Sequence, residues 1–196
     1  MFFRRKEIRA VHTIGDPVLA KIAEPVASVD EKIRDLAAEM LISMRNFDGI
    51  GIAAPQIGVS LRLVVFEVPP PESPAGLTQG EALLYPRMPF VAVNPVILST
   101  AGELVEREEG CLSVPALYAP VIRPERVIFR TETLDGEVIE CECGGLLGRC
   151  IQHELDHLDG KLFTDRLTPE AEAQAANRIE RLKRDGARHN FLRTHR

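Results

Sequence analysis

The chain has 196 residues, 45% of them hydrophobic and 27% charged, with 24 Lys and Arg against 29 Asp and Glu. That length gives one domain with a real core, and no apolar run approaches the roughly 20 residues of a membrane-spanning helix, so neither a membrane nor DNA is expected as a partner. Four cysteines in a chain of ordinary size point to a reducing compartment, the cytoplasm, rather than to a disulfide framework.

The opening Met-Phe-Phe-Arg-Arg-Lys is basic and aromatic, but Glu7 follows and no apolar core comes after it, so a secretory leader is not expected. Ser28 to Asn46 reads as a helix, with Ser28 and Glu31 as a capping box and Ile33, Leu36, Ala37, Met40, Leu41 and Met44 as one apolar stripe. Strand-like runs follow at Leu61 to Val68, Phe90 to Leu98 and Glu103 to Glu108, then a hairpin from Arg126 to Cys143 turning at Asp135-Gly136. The Pro-rich stretch between Val68 and Phe90 reads as a surface loop without an assignable role. A helix over about 145 to 158 packs its leucines on these strands, and a last helix starts at Thr168-Pro169 and runs to about Arg184. The expectation is a single α+β domain over residues 1 to 196: mostly antiparallel sheet around one buried helix, an N-terminal and a C-terminal helix, and a basic, flexible tail from about 185.

The buried helix carries His153, Glu154 and His157, an H-E-x-x-H array. Histidines at i and i+4 share a helix face, so two imidazoles can grip one divalent cation while the glutamate exchanges protons with a bound water. For an arbitrary histidine pair, packing or solvent exposure is the commoner outcome; a glutamate directly after the first histidine, on an apolar helix, favours the metal. In the longer form of the array a glycine turns the chain toward a third histidine. Here Gly160 is kept, but Phe163 stands where that histidine belongs. His12, His189 and His195 lie near the termini, and Cys111, Cys141, Cys143 and Cys150 are the remaining soft donors. Cys111 stands out, in Glu-Glu-Gly-Cys-Leu-Ser-Val-Pro; taken alone it would be an inert buried thiol, but with two imidazoles it leaves a fourth tetrahedral position open.

A third segment, Gly-Ile-Gly-Ile-Ala-Ala-Pro-Gln from Gly49 to Gln56, fits the G-x-G-x-x-A form of a dinucleotide fingerprint. That fingerprint needs a strand before it and a helix after it, whereas residues 31 to 46 are helix-patterned and Pro55 interrupts any helix starting at Ala53. The glycines instead allow close approach of backbone to a ligand, and Gln56 offers an amide to a developing oxyanion.

Together, GIGIAAPQ (49 to 56), EGCLS (109 to 113) and QHELDH (152 to 157) resemble, in order and spacing, the three signature motifs of peptide deformylases; the resemblance runs from about Ile14 to Leu167. It implies that Cys111, His153 and His157 bind one divalent metal ion, with Fe(II) as the native ion by family precedent and Zn(II), Ni(II) or Co(II) also suited to the ligands. It implies that Glu154 is the general acid and base, that Gln56 and the Leu112 N–H form the oxyanion site, and that Ile50, Gly51, Glu109 and Gly110 line the substrate cleft or hold its backbone. The implied reaction is hydrolysis of the formyl group from N-formyl-methionyl nascent peptides, releasing formate. Departures are small: Gly148-Arg149-Cys150 stands where some members carry aliphatic residues, and Tyr118 where some carry arginine. Both bear on the cleft entrance and on preference beyond the methionine.

Residues 178 to 196 hold seven Lys and Arg against two acids. The plainest reading is a solvated terminus; the functional one is electrostatic attachment to ribosomal RNA. Two rival functions carry their own signals. An H-E-x-x-H zinc endopeptidase or aminopeptidase would cleave ordinary peptide bonds. A non-catalytic zinc-binding module would use Cys141, Cys143 and Cys150, although Cys141 and Cys143 point to one side of a strand and are more simply packing residues.

Overall fold

The computed structural model describes residues 7–188 and 191–192. Its centre is a five-stranded antiparallel sheet in the order β2-β3-β4-β5-β6, formed by Gly51–Ala53, Leu63–Phe66, Phe90–Cys111, Val114–Glu132 and Val138–Cys143. Four α-helices accompany it: α1 (Glu31–Asn46), α2 (Gln79–Leu84), α3 (Gly145–Leu158) and α4 (Pro169–Arg188). A two-stranded sheet pairs β1 (Val11–His12) with β7 (Phe191–Leu192). This is the expected α+β domain around one buried helix.

Strand β3 shows why the sheet is covered on both sides. All four of its residues, Leu-Val-Val-Phe, are buried. Alternation sends Leu63 and Val65 toward Met40 and Met44 of α1, and Val64 and Phe66 toward Leu147, Ile151 and Leu155 of α3. A third cluster seats Ala175, Ile179 and Leu182 of α4 on Val114, Ala119, Val121 and Phe163. The apolar stripe read for α1 is the face it buries. Its start is later than expected: Asp30, not Ser28, caps it by accepting from the Ile33 N–H at 3.0 Å, and the helix begins at Glu31.

The runs at Phe90 to Leu98 and Glu103 to Glu108 are one strand, and its partner starts at Val114 rather than Arg126. Two apparent breaks are absorbed as bulges. Pro95, which cannot donate to a ladder, falls in the register shift between Val93 and Val96, and Gly102, at φ +78°, falls in the one between Ala101 and Leu104. The Asp135-Gly136 turn joins β5 to β6 as expected, with Gly136 at φ +82°.

The stretch between Val68 and Phe90 is not only loop. Thr78 and Glu81 form a capping box, with the Thr78 N–H donating to Glu81 at 3.0 Å and the Glu81 N–H to Thr78 Oγ1 at 3.2 Å. They start α2, whose Leu84 joins the α3 core. Thr168 Oγ1 accepts from the Ala171 N–H at 3.3 Å, as expected of a cap, but α4 continues to Arg188. His189, Asn190 and residues 193–196, with His195, lie outside the described residues. Among the described residues, no helix is long and apolar enough to cross a membrane.

Candidate active site

Helix α3 presents His153 and His157 on one face, one turn apart, with ring centroids 5.1 Å from each other. The β4–β5 hairpin turns at Leu112-Ser113, and this delivers Cys111 to the same place: its Sγ is 3.2 Å from His157 Nε2. The donor atoms of Cys111, His153 and His157 all lie within 4.8 Å of one another. Phe163, in the place of a third histidine, stacks on the His153 ring at 6.3 Å.

The second sphere is charged. Glu109 is 6% exposed, and its Oε2 accepts from His153 Nδ1 at 2.9 Å, which leaves His153 Nε2 for the cavity. Arg123 grips the same carboxylate with two bonds, 2.6 Å to Oε1 and 2.9 Å to Oε2, and Arg149 adds a third guanidinium contact to Oε1 at 2.7 Å. Arg123 also donates to Asp156 at 2.8 Å, and Arg166 closes on Asp156 from the far side, its Nε at 2.5 Å. Burial alone would raise the Glu109 pKa, but the bonds from His153 and Arg123 hold it down at about 2. Burial likewise opposes a charge on His153, yet its bonds to Cys111 and Glu109 keep its pKa well above the usual value, while burial pushes His157 well below it.

Glu154 is 3% exposed, and burial, opposed by the charge of His153, pushes its pKa up to about 7. Among the described residues, its Oε2 has no hydrogen-bond partner. Gly51 makes room for it: a Cβ there would lie 2.5 Å from Glu154 Oε1 and 2.8 Å from Cys150 Sγ. Gln56 is 1% exposed; its Oε1 accepts from the Ala53 N–H at 2.8 Å, which fixes the amide so that Nε2 faces Ser113 Oγ at 3.2 Å and Cys111 Sγ at 3.6 Å. An unpartnered buried carboxylate oxygen beside one sulfur and two imidazoles fits a divalent ion that keeps a position open for water.

A cleft of about 650 Å³ opens onto this group. Asn46 to Gly51 form one rim and Glu108 to Cys111 with Leu112 and Tyr118 the other, above Leu146, Arg149, Cys150, His153 and Glu154 of α3. Ile50 and Gly110 line it, and the Tyr118 ring covers Gly110 so closely that no side chain would fit there. The glycine-rich segment is strand β2 followed by a 3-10 turn at Ala54–Ile57, not a nucleotide loop. Cys141 and Cys143 are buried on one side of β6, their sulfurs 3.8 Å apart, and Cys150 lines the cleft; among the described residues these three thiols do not form a group close enough to share a metal ion. Sequence reasoning gave no role to Arg123, Asp156, Arg166 or Ser113, and read Arg149 only as a cleft-entrance residue, whereas its guanidinium turns inward to Glu109. A usable signal existed for one: Arg149, His153 and His157 repeat at every fourth position of α3.

The chain is 45% identical over 158 residues to peptide deformylase 2 of Gloeobacter violaceus, covering 81% of this chain and 78% of the relative. It is 43% identical over 171 residues to the peptide deformylase of Alkalilimnicola ehrlichii, covering 87% and 88% of the two chains. The crystal structure of a peptide deformylase from Legionella pneumophila superposes with a TM-score of 0.76 at 40% identity, over 93% of this chain and 99% of that one. Residues 8–173 match the polypeptide deformylase family throughout, and the chain belongs to that family.

Proposed function

We propose that Glu154 is the proton-transfer group of this deformylase, and that Gln56 and the Leu112 N–H receive the developing oxyanion. The enzyme hydrolyses the N-formyl amide of N-formyl-methionyl peptides. The single observation that carries the role of Glu154 is its buried, unpartnered Oε2 beside the Cys111, His153 and His157 donors. Cys111, His153 and His157 would hold a divalent ion, which would supply Lewis-acid activation of a water toward neutral pH. Glu154 takes a proton from the water that adds to the formyl carbon. Gln56 Nε2, aimed by the Ala53 N–H, donates to the oxygen as it gains charge. As the C–N bond breaks, Glu154 returns the proton to the amine nitrogen, giving formate and a free amino terminus. Ile50, Gly51 and Gly110 hold the peptide along the rims, while Glu109 serves the site from behind by fixing His153.

The ion proposed is Fe(II), with Zn(II), Ni(II) and Co(II) also accommodated by a sulfur and two imidazoles. The test is anaerobic formate release from formyl-Met-Ala-Ser, with metal content measured, for wild type and Glu154→Gln. Metal should be bound in both, and Glu154→Gln should lose about 10²- to 10⁴-fold in rate. Full activity in the variant would refute the role. Cleavage of internal peptide bonds without formate release would return the choice to a peptidase.

The proposed setting is the cytoplasm, at the ribosome, with the basic face of α4 as the contact. Arg181 and Arg184, three residues apart on the helix, are exposed there. Ile179 and Leu182 of the same helix are buried, so deleting it would damage the core. Arg181→Glu with Arg184→Glu is the cleaner probe: salt-sensitive co-sedimentation with ribosomes should fall, and unchanged co-sedimentation would reject the contact.

A further inference from the structure

We infer that Arg149 is a positioning residue for the metal centre, acting through Glu109 on His153. The inference rests on the reading of Cys111, His153 and His157 as metal ligands. Its side chain is 9% exposed although it lies at the cleft, and the guanidinium is turned inward. One nitrogen donates to Glu109 Oε1 at 2.7 Å and to the Val121 carbonyl at 3.0 Å; the other terminal nitrogen donates to the Val105 carbonyl at 2.7 Å. Val105 and Val121 belong to the neighbouring strands β4 and β5, so Arg149 pins α3 to both strands of the hairpin that ends at Cys111.

The Glu109 carboxylate shows what this does. Oε1 accepts from Arg123 and Arg149, and Oε2 from Arg123 and His153, so each oxygen has two donors. A carboxylate has about four lone-pair positions in all. With Arg149 in place, every other position is filled, and the remaining one is directed at His153 Nδ1. That bond sets the tautomer and the ring plane with which Nε2 meets an ion. Without Arg149, one oxygen is released to cleft water and the carboxylate is free to rotate about the Arg123 pair. Three of the five N–H donors of Arg149 are committed to Glu109 and the strand carbonyls, so its main engagement is with the scaffold behind His153.

The experiment uses the full chain loaded with Co(II), whose visible absorption reports ligand geometry. Arg149→Met should lose Co(II) to a chelator severalfold faster than wild type, short of the roughly 10- to 100-fold cost in metal affinity of removing the outer-shell partner Glu109 itself. Its Co(II) spectrum should shift, kcat should fall, and KM for formyl-Met-Ala-Ser should stay within about twofold; Arg149→Lys should recover part of each loss. In a Glu109→Gln background, Arg149→Met should add little, because the path runs through the carboxylate. The inference is overturned if chelator loss and spectrum match wild type, if KM rises with kcat unchanged, or if the two substitutions act additively. If Arg149→Met does not fold, Arg149→Gln is held to the same thresholds. Failure of the wild type itself to hold Co(II) would instead count against the metal-site reading.

Discussion

At the scale of single residues, the site depends on a missing side chain as much as on those present. Gly51 lets Glu154 and Cys150 approach the β2 backbone, and a methyl group there would sit 2.5 Å from the reactive carboxylate. Gly51→Ala should leave the fold and metal content intact while lowering formate release by about 10²-fold, the cost of misplacing a catalytic group by an ångström; equal rates would show that Glu154 tolerates the shift. Glu109 supplies a pH test. Its folded pKa, about 2, lies below the ordinary 4.5, so its stabilisation is full above about pH 4.5 and is lost as pH falls through the folded value. The difference corresponds to something on the order of 3 kcal/mol. Urea midpoints of metal-free wild type and Glu109→Gln should therefore converge as pH drops from 5 toward about 2; a constant gap would assign the Glu109 contribution to packing. His153, Glu154 and His157 were legible in the sequence because helix spacing puts them on one face, whereas Cys111, at the tip of a hairpin about forty residues earlier, was reached through its motif. Arg123 was not, because it meets Glu109 only through strand pairing across a hairpin whose far strand the sequence placed too late.

At the scale of elements, α3 was readable from its helical period and β3 from its unbroken apolar run, whereas β4 was divided because Pro95 and Gly102 look like stops. They are bulges instead, and the bulged strand carries the reading frame onward to Cys111. Helix α2 was hidden by the opposite effect: prolines upstream suggested loop, although Thr78 and Glu81 hold the capping spacing. Thr78→Ala should lower unfolding stability by about 1 kcal/mol, the usual cost of losing such a cap. Metal content should not change, since α2 packs on β6 and α3 away from the ligands. Loss of metal in Thr78→Ala would mean that α2 supports the site directly.

At the scale of the whole molecule, three apolar clusters place α1, α3 and α4 around one sheet, and the proposed metal ligands lie on the β4–β5 hairpin and on α3. Any ion bound only by the folded chain stabilises it by mass action, about 2.7 kcal/mol at a free concentration 100-fold above Kd. Removing the ion by chelation should therefore lower Tm by roughly 5–10 °C for a chain of this size, and reloading should restore it. A Tm indifferent to the ion would show that the unfolded chain holds it equally well.

The hairpin tip has a further consequence for the chain as a polymer. Cys111 and His153 are separated by about forty residues of sequence, and closing a loop of that length costs conformational entropy that grows only slowly with its size. An ion joining them acts as a reversible cross-link, comparable to a staple across β5, β6 and the start of α3. Demetallation then loosens one end of the molecule, where β4 turns into β5, and leaves the far end of the same two strands zipped. On the proposed ligand set, loss of the ion should be a local fraying event, read as faster amide exchange at Gly110 to Val114 well before any global unfolding.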